Sequence, residues 1–188
     1  MKKMLGIIIC TLAIFALVGC SNAGSNADGT VTTDVSVKDV LEDIKGQIVQ
    51  DIKDAGYDDG QSDEKILQGY VETDLVEVAE DDPFGQMFFE RTGLDKELLA
   101  EAVMYVPLFN TNADEIFVLK AKDKKDVESL KASLQKELDA QIQTWKQYLP
   151  DQYEKVKNNV LKTKGNYVLY VTYDNVDAVE QIFDEKIK

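Results

Sequence analysis

The chain has 188 residues, and its 35 acidic against 21 basic side chains leave a net charge of −14 at pH 7. An excess of that size is repelled by nucleic acid, anionic headgroups and other polyanions, which excludes such partners. Histidine is absent, which excludes His-dependent triads, His general bases and nearly all zinc, copper and haem centres, so no cofactor is expected.

Met1, Lys2 and Lys3 make a short cationic start, and Met4 to Val18 is apolar apart from Gly6 and Thr11. A membrane span needs roughly 20 apolar residues, whereas this run gives way to Gly19, Cys20, Ser21 and Asn22 with no basic stop-transfer cluster behind it. Residues 1–19 therefore read as a processed signal peptide. Leu17-Val-Gly-Cys20 has the form of a lipobox, which implies a diacylglycerol thioether on Cys20 and cleavage before it. Cys10 leaves with the signal, so Cys20 is the lipidation site and no disulfide forms in the mature chain. Loss of Lys2 and Lys3 takes the net charge to near −16. Two acyl chains anchor stably where one would be marginal. The expected location is the extracytoplasmic face of the cell membrane.

Residues 20–33 are the lipidated cysteine and a Ser-, Asn-, Gly-, Ala- and Thr-rich tether. Thirteen such residues span about 20 Å as a coil. Residues 34–188 are then expected to be one domain, long enough to bury a core.

Between Ser36 and Ala55, apolar Val37, Val40, Leu41, Ile44, Ile48 and Ile52 recur at three and four, predicting an amphipathic helix capped by Ser36 and stopped by Gly56. Residues 57–82 are acidic and irregular, with one alternating stretch from Tyr70 to Val78 that suits an edge strand or an ordered loop. Pro83 to Thr92 and Asp95 to Ala102 read as short helical turns parted by Gly93. A period of two follows, in Val103–Phe109 and Glu115–Ala121, predicting a hairpin. Asp123 opens a long helix whose apolar face is Val127, Leu130, Leu134, Leu138, Ile142, Trp145 and Leu149, ended by Pro150. Asn159–Lys164 and Tyr167–Tyr173 form a second hairpin across Gly165-Asn166. Its second strand is apolar on both faces and is placed centrally; Lys162 and Lys164 mark its partner as the more exposed strand. Asp174 caps a final helix with Val176, Val179, Ile182, Phe183 and Ile187 inward.

The order predicts an α+β fold. Two hairpins in an approximate ββα repeat make an antiparallel four-stranded sheet with helices packed on one face, preceded by the N-terminal amphipathic helix.

Candidate chemistry is sparse. Asn110, Asn112 and Asp114 have the first three spacings of a calcium loop, but Ile116 stands where a glycine is required and Ala121 where the bidentate glutamate should be, so a polar hairpin turn is expected. Asp58, Asp59 and Asp63, or Glu77, Glu80, Asp81 and Asp82, suit solvated charge better than a metal. Paired carboxylates suit glycoside chemistry at set separations, yet with 35 acids some pair always fits. Ser129 and Lys131 lack Ser-x-x-Lys spacing. Trp145 continues the apolar face of the long helix and reads as core, whereas Tyr148, Pro150 and Tyr153 are the candidate partner patch.

The segments Asn112-Ala-Asp-Glu-Ile-Phe-Val-Leu-Lys-Ala-Lys-Asp, Tyr148-Leu-Pro-Asp-Gln-Tyr and Val160-Leu-Lys-Thr-Lys-Gly-Asn-Tyr-Val-Leu, with Gly93-Leu-Asp and Val103-Met-Tyr-Val-Pro before them, resemble a lipoprotein family of Gram-positive bacteria known as domain of unknown function 4358. The resemblance covers roughly residues 36–188. It implies a lipoprotein of the cell envelope and carries over no activity or catalytic residue.

The expected function is therefore a non-enzymatic binding or accessory domain, joined to the membrane through Cys20 and engaging an envelope protein or wall component. The alternative is a carboxylate-based envelope enzyme or a calcium or solute receptor. A concave pocket lined by converging acids would favour the alternative; a filled core with an aromatic patch would favour binding.

Overall fold

The computed structural model describes residues 34–79 and 81–188. The signal peptide, Cys20 and the tether lie outside the described residues, as does Glu80. Helix α1 (Val37–Asp54) is capped by Ser36, whose hydroxyl accepts from Lys38 N–H. The acidic stretch contains a short helix α2 (Asp63–Leu67) and strand β1 (Tyr70–Asp74). After helix α3 (Pro83–Thr92), a 3₁₀ turn at Lys96–Leu98 leads into β2 (Leu99–Pro107), which pairs with β3 (Glu115–Ala121). Helix α4 (Val127–Tyr148) is followed by α5 (Pro150–Lys157), then the hairpin of β4 (Val160–Lys164) and β5 (Tyr167–Thr172), and finally α6 (Val176–Lys186).

The sheet is antiparallel with order β1-β2-β3-β5-β4. It thus has five strands rather than the expected four: the alternating stretch at Tyr70 is an edge strand, registered from Tyr70 opposite Pro107 to Asp74 opposite Val103. Only one side of such a strand is covered, so its sequence reads much like a loop. Strand β5 is central and β4 lies at the other edge, as the sequence predicts.

Helices cover both faces of the sheet, not one. Val103, Tyr105, Ile116, Val118, Leu169 and Val171 pack with α1 and α6, while their alternate neighbours Met104, Phe117, Leu119, Val168 and Tyr170 pack with α3 and α4. Strict alternation sends successive side chains to opposite faces. Both sets are apolar, so each face needs a cover. The helices after the two hairpins, α4 and α6, go to opposite faces, which makes the ββα repeat one of element order and not of symmetry.

Three local expectations shift. The Asp95–Ala102 turn is cut short because Leu99 pairs with Ala121 and starts β2. Pro150 ends α4 but also opens α5 at its first helical position, where its fixed φ and missing N–H cost nothing. The residue before α6 is Asn175, because the Asp174 carboxylate is taken by Lys155 at 2.9 Å. At the second hairpin Gly165 has φ 60°, matching the turn chemistry read from Gly165-Asn166.

Candidate functional site

One groove collects most of the unusual chemistry. It lies between α3, the turn joining β2 to β3, and the C-terminal half of α4, with a volume of about 320 Å³. Asp82 caps α3 by accepting from Gly85 N–H at 2.7 Å, and Pro83 opens the helix. Positions 84, 88 and 91 then fall on one helix face. Phe84 and Arg91 line the groove. Phe88 is buried against Phe117, ring centroids 5.4 Å apart, and carries the Arg91 guanidinium 5.9 Å from its own centroid.

The floor is a connected polar network. Arg91 donates from Nε to Glu137 Oε2 at 2.9 Å and from Nη2 to Glu137 Oε1 at 2.8 Å. Glu137 has no exposed surface. Gln141 Nε2 donates to Glu137 Oε1 at 2.8 Å and to Glu115 Oε1 at 3.3 Å; Trp145 Nε1 donates to Gln141 Oε1 at 2.9 Å. Tyr170 Oη donates to Glu115 Oε2 at 2.8 Å. Burial, followed by the Glu137 charge, holds the Glu115 carboxyl well above the usual carboxylate range, while Tyr170 and Arg91 pull the other way. The floor therefore sets a carboxyl of raised pKa beside an ion pair.

A second knot pins the turn. Lys155 Nζ lies 2.7 Å from Asp114 Oδ1, 3.3 Å from Asn112 Oδ1 and 2.9 Å from Asp174 Oδ2. Tyr70 Oη and Asn112 Nδ2 both donate to Asp114 Oδ2, at 2.8 and 2.9 Å, and Ala113 N–H donates to Gln152 Oε1 at 2.9 Å. The Asn112–Asp114 oxygens that resemble a calcium loop thus face an ammonium. Asp114 charge holds the Lys155 pKa above its ordinary value despite burial, which is the largest effect and acts downward.

The rim is apolar and exposed. Phe84 is 43% exposed and Phe109 69%. Met87 follows Phe84 by one helical turn, Leu108 precedes Phe109, and exposed Tyr148 stands 5.7 Å from the Trp145 ring. Phe84 and Phe109 line the groove; Met87, Leu108 and Tyr148 also belong to the large apolar side chains exposed among the described residues.

Of the residues expected to form a partner patch, Tyr148 adjoins the groove through Trp145, and Pro150 is exposed at the α4–α5 junction. Tyr153 is half-buried against the small cluster of Ala113, Trp145 and Val156, with Lys157 Nζ 4.9 Å above its ring. Trp145 is itself core, 6% exposed, and also lines the groove. Sequence reasoning missed Arg91, Glu115, Glu137, Gln141, Phe84 and Phe109. One signal was present: Glu137 and Gln141 continue the three-and-four spacing of Leu130, Leu134 and Trp145, which puts polar groups on a core-facing stripe.

A family model described as a domain of unknown function (DUF4358) matches residues 73–173, more than half of the chain. The match takes in every groove residue named above. No curated protein and no solved structure matches the chain.

Proposed function

The chain belongs to the DUF4358 family, and from that premise we propose that it is a lipid-anchored accessory domain, held through Cys20 at the extracytoplasmic membrane surface, that binds an envelope protein or wall component in the groove. The observation that carries this reading is the coincidence of an exposed apolar rim with a concave, charge-balanced floor. Contiguous exposed apolar surface rimming a pocket is the mark of a recognition site. The floor supports binding over catalysis because its groups are already committed. Glu137 is wholly buried and held by Arg91, and Asp114, the other carboxylate lining the groove beside Glu115, is held by Lys155 at 2.7 Å. The anchor rests on the lipobox ending at Cys20.

A photo-crosslinking residue at position 109 tests this in intact cells. A discrete adduct should form there and be absent when the same residue replaces Tyr57, an exposed side chain outside the groove. Identical adducts at both positions, or none at 109, would count against the groove.

One observation favours a second reading, carboxylate catalysis. Glu115 lines the groove, and burial holds its carboxyl pKa well above the usual range, the direction a general acid needs. If Glu115→Gln abolished the protein's cellular role while position 109 still crosslinked, catalysis would displace simple binding.

A further inference from the structure

Resting on the groove as the binding site, we propose that its occupant is a polypeptide segment: one apolar side chain enters between Phe84 and Phe109, a flanking peptide carbonyl accepts from Arg91 Nη1, and basic residues lie on either side.

Size and wall chemistry select the side chain. About 320 Å³ is at the low end of ligand pockets, enough for one anchor residue. Met104, Val106 and Pro107 make the inner wall aliphatic. Trp145 is 6% exposed with its N–H already bonded to Gln141, so its ring is not an open platform for a sugar. Phe84 and Phe109 project at the rim, where they enclose an inserted side chain and exclude water around it.

The floor selects the carbonyl. Arg91 commits Nε and Nη2 to Glu137, and its Nη1 has no partner among the described residues, although 37% of the side chain is exposed. The Asp114 carboxylate that also lines the groove is held by Lys155 at 2.7 Å. A guanidinium face left open in this way takes an oxygen acceptor.

Charge selects the flanks and decides against a free carboxylate. The chain carries −14 overall, and a field of that sign repels an anionic ligand and steers a cationic one. Asp81 and Asp82 precede Phe84, and Glu90 precedes Arg91; none of the three forms an ion pair with a described basic residue.

Trp145 is the only tryptophan in the chain and lines the groove, so its fluorescence reports occupancy. The full chain in detergent micelles is titrated with acetylated, amidated Lys-Lys-Phe-Lys-Lys, with the same peptide carrying Ser for Phe or Glu for every Lys, and with an N-acetylglucosamine tetramer. A saturable change with the first peptide is expected, at least tenfold weaker with either altered peptide and at least tenfold weaker for Phe109→Asp. That variant should fold, since Phe109 is 69% exposed. Arg91→Lys, which keeps the charge, should weaken binding severalfold. Saturation by the tetramer with silent peptides, equal response in Phe109→Asp, preference for the Glu peptide, or no response to any probe each overturns the polypeptide inference. A position-109 adduct in cells would still stand in those cases, and its loss alone would remove the groove.

Discussion

Arg91 grips Glu137 through two parallel hydrogen bonds, at 2.9 and 2.8 Å, across 46 positions of chain. The contact joins α3 to α4 beneath the groove, and it is the reason a fully buried carboxylate is tolerated there. Removing one partner of a buried ion pair leaves a stranded charge, which costs about 3–5 kcal/mol, whereas replacing both with apolar groups is often near neutral. Arg91→Leu should therefore lower the urea midpoint sharply, and Arg91→Leu with Glu137→Leu should recover most of the loss. Equal destabilisation of the double variant would show that the pair itself, not the stranded charge, holds α3 in place.

Glu115 makes stability depend on pH with a definite sign. Its folded pKa is raised above the ordinary 4.5 by burial and by the Glu137 charge. An unfolded chain gives up that proton once the pH passes its ordinary value, so the contribution is full below about pH 4.5 and is lost as the pH rises toward the folded value. Glu115→Gln removes the titration and keeps an oxygen to accept from Tyr170. As the pH rises above about 4.5 the wild-type midpoint should fall relative to that of the variant; a constant gap would show that Glu115 does not titrate.

Lys155 is the pin of the β2–β3 turn. Its side chain is 8% exposed and that of Asp114 4%, so Lys155→Met leaves Asp114 buried without its cation, a loss of about 3–5 kcal/mol. Hydrogen exchange at Ala113 and Asp114 N–H should accelerate more than the global change predicts, because both amides bond within the knot. Uniform acceleration across the sheet would mean the turn is held by something else.

Gly85 is small for a reason of space. A Cβ there would stand 2.3 Å from Val78 Cγ1 and 3.3 Å from Asp82 Oδ1, so Gly85→Ala forces α3 away from the preceding turn at about 1–3 kcal/mol. Phe84 and Arg91 ride on the same helix. Thermal unfolding and Trp145 fluorescence should therefore shift together, and a change in neither would show that the contact relaxes freely.

Cys20→Ser tests the anchor separately from the groove. Labelling by a fatty-acid probe should disappear and the protein should leave the membrane fraction; continued labelling would overturn the lipid anchor.

Much of the architecture is legible along the chain because its signals are local. The three-and-four spacing from Val37 to Ile52, the paired alternating runs around Gly165-Asn166, and the long stripe ending at Pro150 each need only near neighbours to be read. The doubly apolar run of Tyr167–Thr172 even carried the clue to a sheet covered on both faces, since a strand buried on both sides needs cover on both. Strand β1 stayed ambiguous because its outer side faces solvent.

The sequence by itself determined the acidic character, the absence of histidine chemistry, the expected anchor at Cys20, and the α+β order of elements. Only the tertiary structure decided the site. Phe84, Arg91, Phe109, Glu115 and Glu137 come from three segments, and no spacing along the chain relates one segment to another. Their roles arise from burial, which raises Glu115, and from a guanidinium brought against Glu137 by the packing of α3 on α4. Both effects depend on distance through space, and distance through space is set only once the sheet has aligned its strands.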